Sequence, residues 1–258
     1  MGTHTLDVEI TGQGRNLVLL HSLLSDRSSF GLVVSRLADQ RRLIAVSLPG
    51  FGLSPAAGST ISDYAQSVAE MFEELALPPQ TDVLGNGLGS FVALALAARH
   101  SARLDRLALI GGATIFPQAG KDTFNALAET VERQGMSVVV DIAMQRMFPQ
   151  DFITENPEIV DERVAILNGF DTAVFASACR ALAALDLSAD LEKVRNPTLI
   201  VVGTKDGATP PPLAHELAGR LANAQVTEMP GMGHCPHMQD PDAFIAAISG
   251  FLELDARA

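Results

Sequence analysis

Residues 81–100 read TDVLGNGLGSFVALALAARH. A short apolar run enters a knot of three glycines, Gly85, Gly87 and Gly89, and the knot opens directly into a segment with amphipathic helical character. A strand, a sharp turn and a helix in immediate succession present something at the turn. One parse is G-x-G-x-x-S with Asp105 about 20 residues beyond Gly85, close to the fingerprint that cradles a dinucleotide. It fits poorly, because Asp105 precedes the next strand instead of ending it. The third small residue is Ser90, and the unit does not open the fold.

The second parse is G-x-S-x-G with Gly87 in the place of the serine. In such an elbow the turn projects one side chain above the sheet, and small flanking residues let the helix pack close. The motif has meaning only with an acid and then a histidine downstream, and both are present. TLIVVGTKDGATPP ends a strand and delivers Asp206, and AQVTEMPGMGHCPHMQDP ends the next and delivers His234. Upstream, NLVLLHSLLSD ends a strand at His21-Ser22-Leu23. A turn there can offer the Leu23 N–H to an oxyanion, opposite the Leu88 N–H at the helix start.

With these residues assembled, the chain resembles the α/β-hydrolase fold over its whole length. It is most similar to the 3-oxoadipate enol-lactonase group, on LLHSLLSD, SLPGFGLS, MFPQDFITENPE, FASACRALAALDL and PTLIVVGTKDGATPP. Asn86 is also similar to the elbow of meta-cleavage-product C–C hydrolases. The resemblance implies a mostly parallel sheet of about eight strands, flanked by helices. It also implies hydrolysis of small carboxylic esters or enol-lactones, with position 87 as nucleophile, Asp206 and His234 as its partners, and the Leu23 and Leu88 amides as oxyanion hole.

Each residue also has a plainer reading. Asp in G-x-x-D-G is commonly a turn residue, but Asp206 lies one strand before a histidine-bearing loop. Gly231, Gly233 and Pro236 surround His234 and deny it a regular core position. His237 reads as a packing or surface residue, and a 234/237 metal pair lacks further ligands, so no metal and no cofactor are expected. Cys235 reads as a small buried residue. Ser22 either contacts substrate or fills the glycine position usual in this turn. Ser90, a turn into the helix, points away from the elbow tip, and His21 braces the loop.

Gly87 itself has a simple account, since a serine at an elbow tip holds strained geometry costing about 1–3 kcal/mol and glycine does not. Three explanations stand: a sequence altered to remove the serine and trap a ligand, a member that became a binder, or an enzyme in which Asp206 and His234 activate water. Losing the nucleophile still leaves roughly 10³–10⁴ over water from oxyanion stabilisation and binding. A labile ester or lactone tolerates that loss and an amide does not. The alternatives are C–C bond hydrolysis of a vinylogous diketone and non-catalytic ligand binding. A dicarboxylate lactone requires a cation in the cleft, for which Arg133, Arg146, Arg163 and Arg180 are the candidates.

The rest of the chain fits one large α/β unit. Its 258 residues are 47% hydrophobic, enough for a full core, and a net charge of −12 argues against nucleic acid or anionic membranes as partners. A small-molecule substrate is the expected partner, and oligomeric state is left open. MGTHTLDVEI shows no secretory leader, and Leu6 breaks the myristoylation pattern. Two cysteines are too few for a disulfide framework, which suits a reducing, cytoplasmic setting.

Seven runs read as strands: LDVEI, NLVLL, RLIAVSL, TDVLG, RLALIGG, TLIVVG and AQVTEM. The first two, split only by TGQGR, predict an antiparallel hairpin at one edge. Strand and helix alternate until Gly112, then helical periods alone run from Thr114 to Asp190. This divides the chain into a core of residues 1–113 and 191–258 and a helical cap of 114–190. In the cap, Met144, Met147, Phe148, Phe152 and Phe175 are candidates to face a pocket, although such residues at helical spacing are more often plain core.

Overall fold

The computed structural model describes residues 6–255. The first five residues of MGTHTLDVEI, on which the expected absence of a leader partly rests, lie outside the described residues. All seven expected strands are present: β1 (Val8–Thr11), β2 (Arg15–Leu20), β3 (Arg41–Val46), β4 (Thr81–Asn86), β5 (Leu104–Ile110), β6 (Thr198–Gly203) and β7 (Ala224–Met229). They form one sheet of order β1-β3-β2-β4-β5-β6-β7, seven strands among the described residues where about eight were expected.

β1 is antiparallel to β3, and every other pairing is parallel. The expected β1–β2 hairpin is therefore absent. β2 carries four fully buried residues, Leu17 to Leu20, and takes the interior place between β3 and β4. β1, with Glu9 and Ile10 exposed, covers the outer edge of β3 instead, in the register Val8 opposite Val46. A strand buried on both faces gains more from two parallel neighbours than from one local turn.

Alternation along the strands sorts the core onto two faces. Val18, Leu20, Val83, Leu107, Leu109 and Ile200 point to one side. Leu17, Leu19, Leu84, Ala108, Ile110 and Leu199 point to the other. On the second side lie α1 (Gly31–Leu37), through Val33 and Leu37, and the C-terminal helix α11 (Pro241–Leu252), through Phe244, Ile248 and Leu252. The first side carries α2 (Ile61–Glu74), whose start is closed by a Thr60/Asp63 capping box, and α3 (Leu88–His100).

α3 corrects the amphipathic reading, because every residue from Leu88 to Ala97 is buried. It sits between the sheet and α2, and with no face toward water it needs no polar stripe.

Between the adjacent strands β5 and β6 the chain is helical: α4 (Gln118–Gln134), α5 (Val140–Met147), α6 (Gln150–Glu155), α7 (Pro157–Asn168) and α8 (Thr172–Ala183). α4 packs along α8, and one isolated bridge, Ile115 to Asp186, closes the base. The remaining helices are α9 (Pro211–Arg220) and α10 (Pro236–Gln239). No helix among the described residues is long and apolar enough to cross a membrane.

Candidate active site

The carboxyl ends of β2, β4, β6 and β7 send loops to one point. At the end of β4 the chain turns into α3 through Gly87, at φ 51° and ψ −110°, a backbone that L side chains rarely adopt. The outer glycines answer a different demand. An ideal Cβ would lie 2.5 Å from the Gly89 carbonyl oxygen if built on Gly85, and 2.0 Å from the Leu20 carbonyl oxygen if built on Gly89. Helix and strands therefore approach closer than a side chain permits. The Gly87 amide donates to the Ile110 carbonyl at 3.0 Å, and the Gly89 amide to the His21 carbonyl at 3.0 Å. The Ser90 hydroxyl donates inward, to the Gly85 and Ile110 carbonyls at 2.9 and 3.1 Å. It faces away from the tip, as expected.

Asp206 follows β6, and a short loop folds back onto its carboxylate. Oδ1 accepts the Ala208 and Thr209 amides at 2.7 and 2.9 Å, and Oδ2 accepts the Thr209 hydroxyl at 2.9 Å. His234, in the loop after β7, donates Nδ1–H to Oδ2 of Asp206 at 2.9 Å. A carboxylate only accepts, so Nδ1 holds the proton and Nε2 offers its lone pair. Burial opposes ionisation of Asp206, yet the His234 ring and the two amides outweigh it and hold the carboxyl below its ordinary range.

The His234 loop is clamped from both sides. Asn86 donates its side-chain amide to the His234 carbonyl at 3.0 Å, and the Met147 carbonyl accepts the His234 and Cys235 amides at 3.1 and 3.3 Å. Neither clamp was read as such from the sequence. Asn86 carries a signal, a polar residue closing an apolar strand, but the Met147 contact is a backbone bond and leaves no trace in residue type.

The loop after β2 is equally fixed. His21 Nε2 accepts the Leu48 amide at 3.0 Å, so its Nδ1–H donates to the Ser22 carbonyl, 2.8 Å away. Burial pushes the His21 pKa down to about 4, which keeps this bracing ring neutral. The Ser25 amide also donates to the Ser22 carbonyl, at 3.2 Å. The Ser22 hydroxyl stands 3.5 Å from Nε2 of His234. Among the described residues, no acceptor takes the Leu23 or Leu88 amide. The structure thus brings Ser22, Leu23, Gly87, Leu88 and His234 to one cleft, with Asp206 behind the histidine.

The remaining candidates divide. Phe91, Phe116, Phe124 and Leu127 form the apolar wall. Met144, Met147, Phe148 and Phe175 are buried in the core and do not line this cleft, and Phe152 stacks on Phe148 at 4.9 Å, so of the two readings for these five the structure matches plain core. Their helical spacing served helix packing. Of the arginines, only Arg146 lines the cleft. Arg133 and Arg180 pair with Glu129 and Glu132 on the surface, and Arg163 is buried near Asp26 and Glu162. Asp105 pairs with Arg15 at the opposite end of the sheet, which removes the ribose-binding role of the dinucleotide parse.

His237 packs between Phe30 and Phe244 with both ring nitrogens unpartnered among the described residues, and burial lowers its pKa to about 3. The Cys235 thiol is buried and pushed up in pKa by that burial, which removes it as a thiolate. No group of three or more His, Cys, Asp or Glu among the described residues is placed to hold a metal.

The chain as a whole is similar to known hydrolytic enzymes. The chain is 29% identical to a pimeloyl-[acyl-carrier protein] methyl ester esterase of Nitrosospira multiformis, over 97% of its length and 99% of the relative's. It is 26% identical to 3-oxoadipate enol-lactonase 1 of Acinetobacter baylyi, covering 96% and 93% of the two chains. The crystal structure of an enol-lactonase from Burkholderia xenovorans superposes with a TM-score of 0.90 at 27% identity, covering 96% of each chain. The family model of the alpha/beta hydrolases matches residues 17–247, and the chain belongs to that family.

Proposed function

We propose that this chain hydrolyses small carboxylic esters or enol-lactones in the cleft above Gly87. The observation that carries the reading is the 2.9 Å bond from His234 Nδ1 to Asp206, which leaves Nε2 facing the cleft. In that tautomer His234 is a general base. It takes the proton of an attacking hydroxyl and returns it to the leaving oxygen, while Asp206 orients the ring and stabilises the imidazolium. The Leu23 and Leu88 amides receive the negative charge that develops on the substrate carbonyl oxygen. Because Gly87 carries no hydroxyl, attack comes from another oxygen placed within reach of Nε2.

Substrate class is argued from the walls. Away from Ser22, Thr209 and His234 they are apolar apart from Thr123 and Arg146, and Arg146 is half-buried and pairs with no carboxylate among the described residues. A lone guanidinium at an apolar cleft favours an acyl chain that ends in a carboxylate. The names of the relatives, an enol-lactonase and a methyl ester esterase, point to the same class. Helices α4 to α8 act as a cap over this cleft, and the two buried, free cysteines suit a cytoplasmic setting.

Gly87 favours one second reading, a binder that retains the pocket without turnover. The two are separated by incubating the protein with a chromogenic short-chain ester and following product. Turnover above background that disappears in His234→Ala supports the hydrolase. Saturable binding with no product, unaffected by His234→Ala, supports the binder.

A further inference from the structure

We infer that Ser22, on the loop after β2, is the nucleophile of this site and takes over the task that the elbow position performs elsewhere. This rests on the hydrolase reading above. Three hydroxyls line the cleft: Ser22, Thr123 and Thr209. Thr209 is committed on the Nδ1 side, donating to Asp206 at 2.9 Å, and Thr123 donates to the Ala119 carbonyl at 2.7 Å. Ser22 alone of the three faces Nε2, at 3.5 Å. That is the outer edge of hydrogen-bond range, and such bonds tighten once substrate is bound.

Position 87 and Ser22 occupy the same small space. An ideal Cβ on Gly87 would lie 2.8 Å from the Ser22 oxygen and 2.7 Å from His234 Nε2. Glycine at the tip thus opens a path between the Ser22 hydroxyl and the imidazole. The backbone that carries this hydroxyl is held in place, because the Ser22 carbonyl accepts from His21 Nδ1–H and from the Ser25 amide. The next residue is Leu23, whose amide is free for an oxyanion, so nucleophile and donor are adjacent on the loop as they are at an elbow.

The chemistry balances without any further reagent. Ser22 Oγ forms a bond to the ester carbonyl carbon as its proton passes to His234 Nε2. The tetrahedral adduct then expels the alkoxide, which takes that proton and leaves as the alcohol. Water, deprotonated by His234, attacks the Ser22 acyl ester, and the proton returns to Ser22 Oγ as the carboxylic acid departs.

The test is covalent. Treating the full-length protein with a fluorophosphonate should displace fluoride and leave one phosphonyl group, which peptide mass mapping places on Ser22, with labelling slowed in His234→Ala. In stopped-flow with a chromogenic ester, Ser22→Ala should lose the burst and about 10²–10⁴-fold in rate. Ser22→Cys keeps a nucleophile at this point, and its acyl adduct should map to position 22. If Ser22→Ala turns over undiminished with His234 still required, water is the attacking group and the Ser22 inference falls while the hydrolase reading stands. A phosphonyl group on any other residue, or none, overturns the inference even if a variant fails to fold. Absence of both labelling and turnover removes the hydrolase reading as well.

Discussion

Asn86 and His234 are joined across 148 residues of sequence by a single side-chain hydrogen bond, Nδ2 of the asparagine to the histidine carbonyl at 3.0 Å. The residue before the elbow tip thereby sets the height of the loop that carries the base. Both partners are buried, so Asn86→Ala strands a carbonyl without water, at a cost of about 1–3 kcal/mol. Thermal unfolding should show a lower Tm, and ester turnover should fall because the His234 ring loses its register. An unchanged Tm would mean that the Met147 clamp suffices alone.

Asp206→Asn should lower ester turnover by about 10⁴-fold. An amide in place of Oδ2 can donate, so the ring is free to adopt the tautomer with its proton on Nε2, which cannot act as base. The carboxyl lies below its ordinary range in the fold, so its contribution is present above the unfolded pKa and is lost as pH falls through the folded one. Circular dichroism of the variant at neutral pH separates this loss from misfolding.

Acid sensitivity should come chiefly from two buried imidazoles. Their pKa values fall from the ordinary 6.5 to about 4 for His21 and about 3 for His237, so the unfolded chain binds more protons throughout that interval. Stability is therefore full above pH 6.5 and declines as pH drops toward 4, by up to about 1.4 kcal/mol per pH unit for each ring. Among the described residues His237 has no hydrogen-bond partner, and it stacks on Phe30 at 4.9 Å. His237→Phe should keep the stack and remove one titration, raising Tm more at pH 5 than at pH 7.5. An equal shift at both pH values would refute the assignment.

Gly87→Ser should fold with a penalty of about 1–3 kcal/mol, since the added Cβ sits at φ 51° and crowds His234 and Ser22. Removing the competing hydroxyl in Gly87→Ser/Ser22→Gly should recover part of that penalty and carry the acyl group at position 87. Tm and mass mapping of the trapped acyl-enzyme measure the two effects separately.

Arg146→Ala should raise KM for an ester bearing a distal carboxylate by about 10-fold or more, the scale of a charged hydrogen bond, and leave a neutral ester of equal length unchanged. Parallel loss on both esters would indicate that the side chain supports α5 rather than substrate.

Local sequence determined the elements and the order of the chemistry. Short aliphatic and β-branched runs mark the strands, and a strand buried on both faces, as β2 and β6 are, needs an unbroken apolar run whatever its neighbours. The G-x-G-x-G knot followed by an Asp loop and a His loop placed Gly87, Asp206 and His234 at strand ends, since glycine, proline and short polar residues mark where strands stop. Neighbour choice was decided in three dimensions. β1 left β2 for β3 because the sheet interior claimed the more apolar strand. The burial of α3 from Leu88 to Ala97 followed from elements distant in sequence covering its remaining faces. The cleft walls were settled the same way: Phe91, Phe116 and Phe124 line it, while Phe148 and Phe175 pack the core, although all five are phenylalanines on or beside helices. The 3.5 Å between Ser22 and His234 likewise joins residues 212 positions apart, and a distance of that kind is fixed by packing, which residue type alone does not encode.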